Sequence, residues 1–301
     1  MSINSLSAST SNLGGVIQEY LWSWENQRIS VVYESLGKGE TLLLLPAFST
    51  VSMRSEMGEI GKLLSPYFQV VTVDWPGFGE SSRLSVNYSP AMYHQFLLDF
   101  VTSVLHTPVK VIAAGHSAAY ILQLAQELTT VFSRIVLVAP TWRGPLPTMR
   151  ANKQVAGIVK ELVRSPVLGQ GLYKLNTTPS FLNFMYRRHV YVDADKLTPS
   201  FIEHKWHNTQ QPGARFAPAA FVTGKLDAVD NQADFLALVR GLTVPLMVVI
   251  GDSSPPKSRA EMDALAALPF VRSAVISGSL GMHEEYPSTV VEAVRNFLLS
   301  T

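Results

Sequence analysis

The stretch Val109–Gln126, VKVIAAGHSAAYILQLAQ, decides the fold of this chain. Its apolar start, residues 109–113, predicts a buried β-strand. Small residues at 115–119 predict a tight turn, and the spacing of the apolar residues that follow predicts a helix from Tyr120. The stretch therefore indicates a strand–turn–helix unit of the kind that repeats in α/β proteins.

Ser117 lies in the middle of this turn, with Gly115 and Ala119 two positions to either side. A serine between small residues at a strand-to-helix turn is typical of a nucleophile elbow, which exposes the serine hydroxyl above the sheet. In that geometry the amide of Ala118, beside the start of the helix, would hold an oxyanion. A buried serine in an ordinary turn explains the same residues, so the rest of the chain must decide.

Composition limits the classes of protein to consider. The chain has 301 residues, of which 47% are hydrophobic and 16% charged, as expected for one hydrophobic core with an insertion. The formal net charge of +1 gives no bulk electrostatic reason to expect binding to nucleic acid or an anionic membrane. Cysteine is absent, which excludes disulfides and thiolate metal sites. The longest apolar runs have the length of strands, so we expect no transmembrane helix.

The first residues, 1–12, are rich in serine. They lack the basic start and the apolar core of a signal peptide. We therefore predict a flexible tail over residues 1–12 and a cytoplasmic protein.

Predicted strands and helices alternate along most of the chain. The strands are predicted at 27–34, 41–45, 68–73, 109–113, 134–139, 244–250 and 271–277, and the helices at 56–64, 93–105, from 120, 258–268 and 288–299. This alternation predicts a parallel sheet with helices on both faces. Between 141 and 238 prolines and short amphipathic stretches such as 151–164 replace the strands. We therefore predict a core formed by 13–140 and 239–301, with a helical cap inserted at 141–238.

In this order of elements the chain resembles the α/β-hydrolase superfamily, in the cap-bearing branch that includes haloalkane dehalogenases and haloperoxidase-like esterases. The resemblance covers about residues 27–299 and rests on GHSAA at 115–119, DWPGFGES at 74–81, VPLMVVIGD at 244–252 and EEYP at 284–287. It implies an α/β-hydrolase fold, with a mostly parallel central sheet, helices on both faces and a helical cap insertion. In DWPGFGES it implies a structural turn, in which Asp74 satisfies backbone donors.

The resemblance also implies a serine hydrolase, which needs a nucleophile, a base, an acid that orients the base, and oxyanion donors. Ser117 is the implied nucleophile. The implied oxyanion donors are the backbone amides of Ala118 and of Phe48, which follows the strand at 41–45. Relatives usually carry His-Gly before the second donor, whereas this chain has Pro46 and Ala47.

This chain has no acid at the position where the family usually carries one. That position, three residues after Gly251, is Ser254 in this chain. Asp252 is the nearest carboxylate, and Glu261 on the next predicted helix is a weaker alternative. We predict Asp252 as the acid by elimination, while a role in capping its own loop fits the sequence equally well.

The usual position of the base also differs. It lies about seven residues before the proline that opens the last helix, and here that residue is Leu280. His283 is the histidine of the same loop, and we predict it as a displaced base. His116, beside the serine, is common and non-catalytic at that position in the family.

Two interpretations of function stay open. In the first, the protein hydrolyses a small or medium hydrophobic ester through Ser117, with His283 and Asp252 completing a rearranged triad. In the second, the triad is lost, and the protein binds a small apolar ligand or carries out non-hydrolytic chemistry. Aromatic residues in the insertion predict a hydrophobic pocket, with Trp142 and Leu280 as candidate lining residues. We predict no cofactor and no metal, because the spacings of zinc ligands, of G-x-G-x-x-G and of a P-loop are missing.

Overall fold

The computed structural model describes residues 13–105, 108–148 and 168–300, with the side chains of Leu168 and Leu172 excepted. The predicted tail at 1–12 and the predicted amphipathic stretch at 151–164 lie outside these residues. Within the described ranges, no helix is long and apolar enough to cross a membrane.

An eight-stranded sheet forms the centre of the molecule, in the order β1-β2-β4-β3-β5-β6-β7-β8. β1 pairs with β2 and β2 with β4 in antiparallel fashion, and all other neighbours are parallel. The strands are β1 (Val16–Trp24), β2 (Gln27–Leu36), β3 (Thr41–Leu45), β4 (Gln69–Val73), β5 (Val109–Ala114), β6 (Phe132–Val138), β7 (Leu246–Gly251) and β8 (Val271–Ile276). The predicted mostly parallel α/β sheet is therefore confirmed, and β1 is an additional edge strand.

The central strands β3, β5 and β7 are buried at every residue. This burial follows from their continuous apolar sequences, since helices cover both faces of a parallel sheet. The helices are α1 (Gly58–Leu64), α2 (Pro90–Val104), α3 (Ser117–Glu127), α4 (Pro145–Thr148), α5 (Leu168–Leu175), α6 (Pro179–Met185), α7 (Pro199–Thr209), α8 (Phe216–Val222), α9 (Gln232–Ala237), α10 (Pro256–Ala266), α11 (Met282–Glu285) and α12 (Pro287–Leu299).

Helices α4 to α9 lie in the segment 141–238, which we call the cap segment. Two of them begin with the same signal, a threonine followed by proline. The hydroxyl of Thr178 accepts the amide of Phe181 at 3.3 Å, and that of Thr198 accepts the amide of Phe201 at 3.2 Å. Such N-caps, with proline at the first helical position, start a helix without strain.

The cap segment has an apolar cluster of its own, formed by Val51, Leu182, Tyr186, Tyr191, Leu197 and Ile202. Val51 belongs to the loop that follows β3, so this cluster joins the cap segment to the sheet. The carboxyl ends of the parallel strands open toward this junction. In open α/β sheets, ligands bind at those ends.

Asp74 has the structural role predicted for it. Its carboxylate accepts the amides of Arg54 at 2.6 Å and Glu80 at 3.0 Å, and also the guanidinium of Arg54. Gly79 has a φ of +52°, and a Cβ there would collide with the Asp74 carboxylate. The DWPGFGES turn is therefore built around this buried aspartate.

Candidate functional site

The turn between β5 and α3 differs from the predicted elbow in its register. β5 continues to Ala114, and α3 begins at Ser117 instead of Tyr120. The residue of this turn with left-handed backbone is Gly115, at φ +54°, and a Cβ there would lie 2.9 Å from the Cβ of Ala47. A nucleophile elbow holds its nucleophile on the strained turn itself. In this chain the strained position is a glycine, two residues before Ser117.

The Ser117 hydroxyl is completely buried and donates a hydrogen bond of 2.6 Å to the carbonyl oxygen of Pro46. The same oxygen accepts the indole N–H of Trp75 at 3.0 Å. A serine becomes a useful nucleophile when a base accepts its proton. A carbonyl oxygen cannot do this, so the hydroxyl is held in an unactivated state.

The two predicted oxyanion donors lie beside this turn. The amide of Ala118 donates to the carbonyl of Gly115 at 3.3 Å. The side chain of Phe48 is buried and stacks on Trp75, with ring centroids 4.8 Å apart. Aromatic packing thus fills the space next to the elbow turn.

His283 lies in a different group of side chains. Its Nε2 atom is 3.6 Å from a carboxylate oxygen of Glu56, and the Nζ of Lys205 lies 3.3 Å from Glu56 and 2.8 Å from Glu284. We call these four residues the cap–core cluster. Glu56 comes from the 3₁₀ helix Arg54–Met57 that follows β3, His283 and Glu284 from α11 after β8, and Lys205 from α7 of the cap segment.

The charges of the cap–core cluster support one another. Burial disfavours the charge of Lys205, but Glu284 and Glu56 raise its pKa above the ordinary value for lysine. Burial likewise disfavours ionised Glu56, but Lys205 and His283 lower its pKa below the ordinary value. We therefore assign an ion pair to this buried site.

One polar atom of the cap–core cluster stands apart. The Nδ1 atom of His283 is buried and has no hydrogen-bond partner among the described residues. Buried polar atoms are nearly always paired, so this one is an exception to explain. Glu56 thus faces one ring nitrogen of His283, while the other has no hydrogen-bond partner among the described residues.

The predicted acids lie elsewhere. Asp252 sits in an exposed loop, where its carboxylate accepts the hydroxyl of Ser253 at 2.9 Å and the amide of Gly278 at 3.2 Å. Glu261 is 3.4 Å from Arg143. The structure brings neither carboxylate into the contacts of His283, whose acidic neighbour is Glu56.

The remaining predicted residues are buried or half-buried. Leu280 is half-buried against the main core, and Ser254 is buried, with no hydrogen-bond partner for its hydroxyl among the described residues. Trp142 is buried, and the guanidinium of Arg143 lies 4.0 Å from its ring centroid. Their role as pocket lining stays a prediction.

A second histidine–carboxylate pair includes His116 of the elbow turn, which is buried, and Asp227, which is half-buried. The Nε2 atom of His116 lies 2.9 Å from the carbonyl of Leu226 and 3.4 Å from the carboxylate of Asp227. Burial lowers the pKa of His116 to about 4 and raises that of Asp227 to about 7. His116 is therefore neutral at pH 7 and donates to the carbonyl of Leu226.

The sequence analysis names His283 as a candidate, but it names neither Glu56 nor Lys205. These two residues are 149 positions apart, and no local pattern marks either of them. Glu56 is the first residue of the helix predicted at 56–64, and Lys205 lies in the predicted insertion. In the described ranges, no three His, Asp or Glu side chains are placed to hold a metal ion.

Comparison with known proteins agrees with the fold. A family model described as Alpha/beta hydrolase family matches residues 42–293. A candidate non-heme chloroperoxidase of Synechocystis sp. is 24% identical over 238 residues, which are 75% of this chain and 78% of that protein.

Solved structures share the architecture at low sequence identity. A thermophilic esterase from Thermogutta terrifontis has a TM-score of 0.71 at 20% identity, covering 94% of this chain and 98% of its own. A bromoperoxidase from Bacillus anthracis also has a TM-score of 0.71, at 17% identity, covering 94% of this chain and all of its own. At this identity the likeness concerns the fold, and the reaction must be argued from the site.

Proposed function

The chain belongs to the alpha/beta hydrolase family, and from that premise we propose that it hydrolyses a small or medium-sized hydrophobic ester by general-base catalysis. In this proposal His283 is the base, Glu56 orients it, and water is the nucleophile in place of Ser117. The observation that carries the proposal is the buried imidazole of His283, whose Nε2 atom faces Glu56 and whose Nδ1 atom has no hydrogen-bond partner in the part of the chain that the structure describes.

The proposed step balances without an acyl-enzyme. The Nδ1 atom of His283 takes a proton from water while the water oxygen attacks the acyl carbon. The resulting imidazolium faces the Glu56 carboxylate and then gives its proton to the leaving alcohol, so an acid and an alcohol are released. Proton transfer by a positioned side chain contributes roughly 10²–10⁴-fold to a rate.

The geometry at the elbow turn supports a water nucleophile. Gly115 holds the strained position, and the buried Ser117 hydroxyl donates to the Pro46 carbonyl. An attack by Ser117 would first require this hydrogen bond to break and a base to reach the hydroxyl. The candidate pocket residues Trp142 and Leu280, and the Phe48 amide as oxyanion donor, belong to the proposal as lining and stabilising groups.

A second candidate function keeps Ser117 as the nucleophile, with His283 and Asp252 in a rearranged triad. The observation in its favour is the position of Ser117 at the carboxyl end of β5, next to the loop that would supply the second oxyanion donor. The two candidates differ in one respect that can be measured. Only the second forms a covalent intermediate on Ser117.

A fluorophosphonate label and a chain-length series of nitrophenyl esters distinguish these functions. We expect no labelling of the wild type, near-normal hydrolysis by Ser117→Ala, and a loss of roughly 10²-fold or more in His283→Ala. The rate of Glu56→Gln should lie between those of Ser117→Ala and His283→Ala, because the ring keeps a polar neighbour but loses the charge facing it. Asp252→Ala is the matched control and should match the wild type.

Two results would overturn the proposal. Labelling that disappears in Ser117→Ala, with hydrolysis lost in the same variant, would establish the acyl-enzyme route. A folded wild type that hydrolyses none of the esters would favour the third possibility, a protein that binds a small apolar ligand. Thermal shifts with the product alcohols and acids would then be the next measurement.

A further inference from the structure

One side of the cap segment exposes apolar side chains close together. Phe181 and Phe184 of α6 are 37% and 54% exposed, and Leu175 at the end of α5 is 73% exposed. Positions three apart lie on the same side of a helix. Leu182 of the same helix is buried in the cap's apolar cluster, so the phenylalanines are the outer side of an anchored helix. Single exposed apolar residues are ordinary, whereas a group on one helix indicates an interaction surface.

Basic residues occur in the same segment of the chain as these side chains. Lys174, Arg187 and Arg188 are exposed, and the sequence from 168 to 192 contains no aspartate or glutamate. The guanidinium of Arg188 lies 6.0 Å from the ring centroid of Phe184. The segment 168–192 is therefore cationic, although the whole chain has a net charge of only +1.

We propose that this surface docks on an anionic lipid membrane. The surface consists of Lys174, Leu175, Phe181, Phe184, Arg187 and Arg188, and we call it the Phe–Arg face. Aromatic and aliphatic side chains enter the interface between headgroups and acyl chains, while lysine and arginine stay at the level of the phosphates.

The chemistry of the Phe–Arg face favours a lipid surface over a protein partner. Its apolar residues protrude from a short helix, and its charges are all of one sign on long, flexible side chains. Anionic headgroups present the complementary charge without any fixed geometry. The face is independent of the catalytic proposal, although membrane docking would bring a hydrophobic ester close to the protein.

Co-sedimentation with vesicles tests the proposal. We expect the full-length protein to bind vesicles of equal parts phosphatidylcholine and phosphatidylserine far better than phosphatidylcholine alone. The double variant Arg187→Gln/Arg188→Gln should lower the partition coefficient by roughly tenfold to thirtyfold, since each basic residue near the surface contributes several-fold. Phe181→Ser/Phe184→Ser should lower it as well. Leu21→Ser is the matched control, because Leu21 on the edge strand β1 is 65% exposed and far from the cap segment in sequence.

Several outcomes would overturn this inference. A folded wild type that binds neither kind of vesicle would do so, as would equal binding by the wild type and the Arg187→Gln/Arg188→Gln variant. Self-association abolished by Phe181→Ser/Phe184→Ser, without vesicle binding, would assign the face to a second copy of the chain. Ester hydrolysis in free solution is measured separately, so failure here leaves the proposed function unaffected.

Discussion

Two ion clusters meet on the 3₁₀ helix Arg54–Met57. They differ in whether backbone groups or side chains supply their contacts. The core cluster consists of Arg54 with Glu34, Asp74 and Glu80. Glu34 also accepts the amides of Leu13 and Gly15, each at 3.0 Å, and Asp74 accepts two further amides. The backbone of the core therefore supplies many of its hydrogen bonds.

The cap–core cluster begins two residues later, at Glu56, and is built from side chains. Lys205 reaches it from the cap segment, and His283 and Glu284 reach it from α11 after β8. Within the described ranges, one ring nitrogen of His283 has no hydrogen-bond partner. The core cluster is tied to the backbone by several hydrogen bonds, which suits it to stabilise the fold. A cluster that joins two parts of a chain and leaves a polar atom unpaired is suited to bind and transfer protons.

Removing the cation of the core cluster should have the largest effect on stability. Arg54→Ala leaves Asp74 and Glu34 buried without their cation, and we expect a loss of about 4 kcal/mol in the free energy of unfolding. Urea denaturation measures it. Lys62→Ala, which breaks an exposed pair with Glu59, is the control and should cost less than about 1 kcal/mol. Equal losses in both variants would show that the core cluster contributes no more to stability than an exposed ion pair does.

The corresponding change in the cap–core cluster should cost somewhat less and act on a smaller part of the molecule. Lys205→Met leaves Glu56 and Glu284 facing each other, at a cost of about 3 kcal/mol. Hydrogen exchange should rise in α7 and α11 before it rises in the central strands. Adding Glu56→Gln to Lys205→Met should recover part of the loss, because the double variant removes one of the two stranded charges. If hydrogen exchange in Lys205→Met rises equally in α7, α11 and the central strands, the cap–core cluster unfolds together with the core.

Most of the fold could be predicted because parallel strands carry continuous apolar sequences. β1 was missed, since its nine residues, VIQEYLWSW, mix polar and apolar side chains at a half-exposed edge. The sequence predicts the start of α3 three residues late, because Ala118 and Ala119 are small enough for a turn and equally suited to a helix. That difference in register separates Ser117 from the strained position of the turn.

The candidate site was only partly within reach of the sequence. His283 could be found, because it is the histidine of a loop whose place in the fold follows from the strand order. Glu56 and Lys205 could not be found, because their meeting depends on how the cap segment packs against the loop after β3. No spacing rule connects residues 149 positions apart on two different parts of the chain.

The cap–core cluster should also make the free energy of unfolding depend on pH, and this effect should be smaller than those of the two cation substitutions. The pKa of Glu56 is lowered in the folded protein by Lys205 and His283 in spite of burial. Its contribution to stability is therefore present above the ordinary glutamate pKa and is lost as pH falls through the lowered value. Glu56→Gln should reduce the difference in unfolding free energy between pH 6 and pH 3. Glu59→Gln, at an exposed position, should leave that difference unchanged.

The smallest effect is expected at Asp252, the acid that the sequence favoured. Its carboxylate is exposed and accepts the Gly278 amide at 3.2 Å, so Asp252→Ala should cost roughly 0.5–1 kcal/mol of stability. Ester hydrolysis should not change, because the carboxylate facing His283 is that of Glu56. Measuring stability and rate in the same variant separates the two interpretations of this residue. If Asp252→Ala lowers hydrolysis as far as His283→Ala does, Asp252 is the acid that orients the base, and the cap–core cluster only connects the cap segment to the core.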